Sequence, residues 1–308
     1  MPLRQPAMPA HDAGAQAPSM TASGPRAAMT TLDWRTDDLQ RALQGMLPGL
    51  DVTAVAECPS TNTALLNEAR AGRAGPHLHV AERQTAGRGR QGRPWAAAPG
   101  ASLTFSLRWP RVPQAGWGGL SLAVGLAVAQ ALDPDGRHLG LKWPNDVLLR
   151  DPAGPPPGRK LAGILVETVG LGTAHGAVVI GIGVNVQPLP DAGVAAAAAG
   201  VAPLPRAAWS EVHPGATAPQ ALHAIAPVLL EALARFEREG LTPFLAEFAR
   251  RDVLAGQVVH TTAPDVSQGV AAGVDTDGAL RVQTPHGLQR LLAGDVSVRL
   301  PAATPTET

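Results

Sequence analysis

Between residues 101 and 109 apolar and polar side chains alternate, with Leu103, Phe105 and Leu107 on one side and Ser102, Thr104, Ser106 and Arg108 on the other. That period of two predicts a half-buried strand. Residues 118–132 are apolar almost throughout and predict a buried helix. Spaced leucines over residues 32–50 predict one short helix, too short for a helix-turn-helix domain. Residues 51–56 and 78–82 read as strands on either side of a helix over 63–71. Gly72 stops that helix, and Ser60, Thr61 or Asn62 can cap its start. Residues 139–149 form two apolar strand pieces around a polar bend, because Pro144 removes a ladder donor. Residues 160–167 and 177–186 read as adjacent strands with glycines where something approaches closely. Strands with so few helices between them predict a mixed sheet with helices on one face, rather than a doubly wound sheet.

Further along, residues 187–220 are rich in Pro, Ala and Gly and read as a long loop. Leu222, Ile225, Leu229, Leu233 and Phe236 then form one helical stripe, and a second helix follows over 241–251. From residue 256 the pattern changes to short strands and turns, with Asp277-Gly278 as a hairpin signal. The expected organisation is a disordered leader over 1–30, an α+β domain over 31–255, and a small β module over 256–308.

The 308 residues suffice for about two domains and a substantial core. The 25 basic and 25 acidic residues cancel, so no global field points to nucleic acid or membrane, and any anion must be held by a local cluster. Cys58 is the single cysteine; no intrachain disulfide can form, which fits a reducing cytosol. No apolar run reaches the ~18–20 residues that span a bilayer.

The local cluster is Gly87-Arg88-Gly89-Arg90-Gln91-Gly92-Arg93. Glycines let backbone approach a ligand, and arginines offer planar forks for phosphate and carboxylate oxygens. Taken alone, such a run is equally a solvated turn or a nucleic-acid-binding tail. It is neither a Walker A loop nor a dinucleotide fingerprint. Ser60-Thr61-Asn62 by itself is a helix cap. No Ser/His/Asp order, Cys/His pair or His-rich metal spacing occurs. The chemistry open to these residues is electrostatic, with Arg and Lys neutralising phosphate beside a carboxylate.

Taken in order, the Gly87–Arg93 loop, Lys142-Trp143-Pro144-Asn145-Asp146, Lys160-Leu161-Ala162-Gly163-Ile164-Leu165-Val166-Glu167, Gly181-Ile182-Gly183-Val184-Asn185-Val186 and Gly294-Asp295-Val296-Ser297-Val298-Arg299 resemble the motifs of bacterial biotin–protein ligases. The resemblance runs from about Val52 to Leu300. It implies a mixed sheet carrying helices, plus a C-terminal barrel of the Src-homology-3 kind. It also implies a cytoplasmic two-step ligase. Biotin and MgATP would give biotinyl-5′-adenylate and pyrophosphate, and a lysine of the biotin carboxyl carrier protein of acetyl-CoA carboxylase would then take the biotinyl group.

Carried over position by position, the resemblance places Ser60, Thr61 and Gln84 at the ureido head and Asn62 among the biotin-binding residues. Arg88, Gly89 and Arg90 would wrap the adenylate, with Arg90 nearest the phosphate. Lys160, backed by Gly163, would lie between carboxylate and α-phosphate. Lys142, Asn145 and Asn185 would line the nucleotide side, and Asp146 would act as base or orienter for the incoming lysine. Biotin's polar head and apolar tail call for a few fixed donors in an apolar wall. The hydrolysis-prone anhydride calls for a loop that closes over it. No metal ligand set beyond the nucleotide's own Mg2+ is implied, nor any nucleic-acid or membrane partner, and a monomer or weak homodimer is expected.

Some departures from the family pattern stand out. Residues 151–159 form an insertion expected to be a surface excursion, and Ala97 stands where serine is common. The adenine-stacking aromatic aligns poorly, with Trp209 as its candidate. The winged-helix domain of repressor-type relatives has no counterpart, which argues against repression. The rival reading is a lipoate or octanoate ligase or transferase of the same architecture.

Overall fold

The computed structural model describes residues 30–110, 116–151, 157–170, 177–189, 204–293 and 298–300. Residues 1–29 of the expected leader, most of the 151–159 insertion, part of the 187–220 loop and residues 294–297 of the last motif lie outside them.

The chain opens with α1 (Thr36–Leu43), then β1 (Asp51–Cys58), α2 (Thr61–Arg70) and β2 (His77–Gln84). The helix α2 starts two residues earlier than its periodicity suggests, because Ser60 is the cap: its backbone is extended and its hydroxyl accepts from Thr63 N–H at 3.4 Å. Next come β3 (Ser102–Trp109), α3 (Leu120–Leu132), β4 (Leu139–Lys142), β5 (Asp146–Leu149), β6 (Arg159–Val169) and β7 (Ala177–Asn185). The bend between β4 and β5 carries a cis Trp143–Pro144 peptide. These strands form one mixed sheet in the order β1-β2-β3-β7-β6-β5-β4. Only the β1–β2 pair, joined through α2, is parallel; the other neighbours are antiparallel.

Two helices follow, α4 (Ala218–Glu239) and α5 (Leu245–Arg251), separated by a short 3-10 turn over Thr242–Phe244. The predicted stripe of α4 is buried at every position from Leu222 to Phe236. It joins α1, α3 and α5 in one core with Leu103, Phe105, Leu107, Ile180 and Ile182 of the sheet. Buried Arg251 donates to Asp133 Oδ2 at 3.3 Å and to Asp133 O at 2.9 Å, tying α5 to the end of α3.

The expectation of helices on one face needs correcting, since α2 packs on the other. Leu65 and Leu66 meet Val179 there in a separate small cluster. The same helix corrects the reading of β3 as half-buried: every residue of β3 is buried. Its polar side turns toward α2 rather than water, and its groups find partners, as buried polar groups must. Arg108 donates to Glu68 Oε2 at 3.0 Å and to Gly75 O at 2.7 Å, and Thr104 donates to Ala81 O at 2.8 Å. Alternation alone does not distinguish a polar face in water from one paired beneath a helix.

The C-terminal strands β8 (Val258–Ala263), β9 (Val266–Val274), β10 (Leu280–Thr284), β11 (Gly287–Leu291) and β12 (Val298–Arg299) form a second, antiparallel sheet in the order β11-β10-β9-β8-β12. The Asp277-Gly278 turn between β9 and β10 has Gly278 at φ +82°, a conformation costly for residues with a Cβ. Its tip rests on the first sheet. Trp143 Nε1 donates to Gly278 O at 2.9 Å, and Lys142 Nζ donates to Val298 O at 2.8 Å. Among the described residues no helix is long and apolar enough to cross a membrane.

Candidate active site

The α2 side of the sheet is floored by glycine. A methyl on Gly183 would sit 2.4 Å from the Trp95 ring, and one on Gly181 would sit 2.2 Å from Asn62 Oδ1. Side chains from α2 and from the Gly/Arg loop therefore lie directly on the backbone of β7.

Lys160 reaches this floor because β6 is bulged. Its pairing with β5 slips between Val147↔Ala162 and Leu148↔Lys160, leaving Leu161 as an extra residue. A bulge re-aims the side chains beside it. Strict alternation would put Lys160 on the apolar face with Ala162 and Ile164. Instead its ammonium lies on the Gly163 side, where a methyl on Gly163 would stand 3.3 Å from Nζ. There Nζ is 2.6 Å from Asp146 Oδ1 and 5.5 Å from the centre of the Trp95 ring, within cation–π range. The Lys160 backbone is equally fixed. Its N–H donates to Pro205 O at 2.7 Å, and its carbonyl accepts from Ala207 N–H at 2.9 Å and from Asn185 Nδ2 at 3.1 Å.

The polar pocket beside α2 is one connected network. Thr61 N–H donates to Gln84 Oε1 at 2.8 Å. Ser106 Oγ lies 2.7 Å from Thr61 Oγ1 and 2.5 Å from Asn62 Oδ1. Asn62 Nδ2 donates to Glu167 Oε2 at 2.9 Å.

The Gly/Arg loop folds as a small hairpin. Gly89 N–H donates to Arg93 O at 2.7 Å, Trp95 N–H to Gly87 O at 2.9 Å, and residues 90–92 make one 3-10 turn at the tip. Gln91 takes φ +56° within it. Arg88 Nη1 donates to Glu167 Oε1 at 2.8 Å, and Nη2 to Thr63 Oγ1 at 3.4 Å. Arg90 Nη1 donates to Asn145 Oδ1 at 3.4 Å, and its Nη2 reaches Ala293 O of the second sheet. Asn145 itself is fixed on β6, donating Nδ2 to Ile164 O at 2.9 Å.

Every residue singled out in the sequence thus lies around one surface, with two displacements. Lys142, opposite Asp146 in the β4–β5 pair, directs its ammonium to the Val298 carbonyl in this state. Trp209, the candidate to stack on adenine, is instead part of the core. It is 5% exposed, donates Nε1 to Leu132 O at 3.1 Å and stacks on His213. Three participants escaped the sequence reading: Trp95, Ser106 and Glu167. Trp95 follows the loop directly in sequence, and that adjacency was the available signal. Among the described residues its buried Nε1 has no hydrogen-bond partner. Ser106 was hidden by its place on an ordinary alternating strand. Cys58, by contrast, is chemically quiet, because burial and the neighbouring Glu57 raise its thiol to about 11.

A seven-stranded mixed sheet with a bulged lysine strand and an arginine loop, joined to a small β module, is the framework of a class of protein ligases, and comparison with known proteins agrees. Residues 55–185 match the biotin/lipoate A/B protein ligase family, and residues 254–299 match the biotin protein ligase C-terminal domain. The biotin–[acetyl-CoA-carboxylase] ligase of Mycobacterium tuberculosis is 36% identical over 283 residues, covering 83% of this chain and 94% of the relative. That of Paracoccus denitrificans is 34% identical over 261 residues, covering 79% and 98%. The solved biotin protein ligase from Aquifex aeolicus in complex with biotin and ATP shares the fold, with a TM-score of 0.66 at 24% identity over 82% of this chain and 99% of that one. The chain belongs to the biotin/lipoate A/B protein ligase family, on its biotin protein ligase branch.

Proposed function

We propose that the chain is an ATP-dependent biotin–protein ligase that forms biotinyl-5′-adenylate and transfers the biotinyl group to a lysine of the biotin carboxyl carrier protein of acetyl-CoA carboxylase. The observation that carries this reading is the Lys160–Asp146 pair, set beside Trp95 on a glycine floor, with Arg90 of the loop on the adjoining Asn145. The names of the relatives at 36% and 34% identity favour biotin over lipoate.

In this reading Thr61, Asn62, Gln84 and the Ser60 cap hold the ureido head, whose carbonyl and N–H groups need fixed donors and acceptors. Trp95 supplies the apolar wall for the tail. The biotin carboxylate attacks the α-phosphorus of MgATP, and the bond from that phosphorus to the bridging oxygen breaks as pyrophosphate leaves. Negative charge grows on the phosphoryl oxygens in that step, and Lys160 with Arg88 and Arg90 stabilises it. Gly89 lets the loop backbone approach the adenylate. Asn145 and Asn185 line the nucleotide side, with Lys142 behind them. Asp146 holds Lys160 in place, then accepts or directs the proton of the carrier lysine when its amine attacks the acyl carbon and releases AMP. The division near residue 255, a cytoplasmic location and a monomeric or weakly dimeric state belong to the same reading.

Pyrophosphate release with MgATP, measured with biotin and with lipoate as control, tests it. Biotin-dependent release that is lost in Lys160→Ala and Arg90→Ala supports the assignment. Release that responds to lipoate rather than biotin overturns it.

A further inference from the structure

The Glu167 carboxylate stands where two parts of the site meet. One oxygen accepts from Arg88 of the loop at 2.8 Å, and the other accepts from Asn62 of α2 at 2.9 Å. Asn62 continues through Ser106 to Thr61, whose N–H holds Gln84. An unbroken chain of hydrogen bonds therefore runs from the first loop arginine to the pocket assigned to the ureido head. Register puts Glu167 four residues beyond Gly163 on β6, roughly 13 Å along the strand at the usual rise. Two of the loop's three arginines are thus anchored differently: Arg90 on Asn145 and the second sheet, Arg88 on Glu167.

We propose that Glu167 is a positioning residue that couples occupation of the head pocket to ordering of the Gly87–Arg93 loop. The proposal rests on the functional reading above for the identity of the head group. A ligand that fixes Asn62 and Thr61 also fixes the carboxylate that holds Arg88, and the loop is then set for the nucleotide's phosphates. Only a carboxylate does this well, because both of its oxygens accept, whereas an amide offers one acceptor and turns a donor toward the other partner. Arg88 keeps donors in reserve for the ligand, since an arginine carries five N–H groups and two are engaged here. The coupling is reciprocal, so the nucleotide tightens the hold on biotin by the same factor.

The experiment is limited trypsinolysis at Arg88 and Arg90, together with the steady-state constants of pyrophosphate release, on the full chain. Without ligand, Glu167→Gln is expected to speed loop cleavage several-fold, an outcome that holds whatever the substrate is. With biotin, the wild type is expected to be protected and Glu167→Gln not. KM for ATP rises about tenfold, within the usual range of coupling between sites, while kcat changes less, and Glu167→Asp recovers part of the protection. Wild-type cleavage in Glu167→Gln, or a uniform fall in kcat with normal protection, overturns the proposal. Should Glu167→Gln fail to fold, Arg88→Gln on the exposed loop tests the same link: cleavage at Arg90 must be fast and insensitive to biotin, and protection there sinks the idea. A wild-type protein with no biotin response, yet faster cleavage in the ligand-free variant, would refute the substrate and leave the link standing.

Discussion

Lys160 Nζ lies 2.6 Å from Asp146 Oδ1, and the extra residue Leu161 is what turns the lysine toward that carboxylate. The cation is held at the sheet surface before any substrate arrives, so little reorganisation remains when charge develops. Removing the cation and removing its holder should therefore have unequal effects. Lys160→Ala is expected to lower the rate of biotin-dependent pyrophosphate release by about 10²–10³. Asp146→Asn, which keeps a hydrogen-bond partner, should cost about tenfold in this step and more in transfer to the carrier. Single-turnover measurements of the two half-reactions would separate them, and equal losses in both would count against the division of roles.

Gly183 offers a steric test. A methyl there would lie 2.4 Å from the Trp95 indole, closer than any real contact, so the ring must leave its place beside Lys160. Gly183→Ala is expected to raise KM for biotin by about tenfold or more, near 1.4 kcal/mol, with a small change in melting temperature. An unchanged KM would mean that Trp95 does not line the tail.

Gly278 tests the junction of the sheets. It combines φ +82° with a tip so close to Gly119 that a methyl would sit 2.5 Å from the Gly119 Cα. Gly278→Ala should destabilise the protein by about 1–3 kcal/mol, and should quench or shift Trp143 fluorescence as its hydrogen bond loosens. A wild-type denaturation midpoint would contradict the packing described.

Stability should depend on pH through His79. Burial, with a contribution from His77, lowers its pKa from 6.5 to about 4. The unfolded chain thus binds this proton more readily, and unfolding takes up a proton between these values. The contribution is fully present above pH 6.5 and is lost as pH falls toward 4, on the order of 3 kcal/mol in all. Thr53 Oγ1 bridges His77 Nε2 at 2.7 Å and His79 Nδ1 at 2.8 Å, so a proton on His79 Nδ1 makes that nitrogen a donor to a hydroxyl the two rings share. Melting temperature should fall across that window in the wild type and fall less in His79→Gln; parallel curves would refute the assignment.

Much of this was legible in the sequence because the relevant signals are local. The stripe of α4, the Asp277-Gly278 turn and the Gly/Arg loop each depend on neighbours within a few residues. What escaped depends on partners far along the chain. Ser106 reads as a solvent-facing serine until α2 is laid over β3, and Glu167 reads as the polar end of a strand until Arg88 reaches it from 79 residues away. Trp209 misled for the opposite reason. It sits in a Pro/Ala-rich stretch that looks exposed, yet the backbone of residues 205–207 runs beside Lys160 and leads the indole into the core. The bulge at Leu161 leaves no mark in composition, since Lys-Leu-Ala-Gly fits a regular strand equally well.

The contacts of Lys142 and Trp143 bear on how far this protein can be pared down. An ammonium 9% exposed and an indole fully enclosed both end on carbonyls that lie beyond residue 277. Cutting the chain after α5 would remove both of these carbonyl partners and uncover the Trp143 indole at the strand ends that carry Asn145 and Asp146. A minimal biotinylating enzyme made by such a cut would lose its footing at the chemistry itself, so miniaturisation has to start from the other terminus.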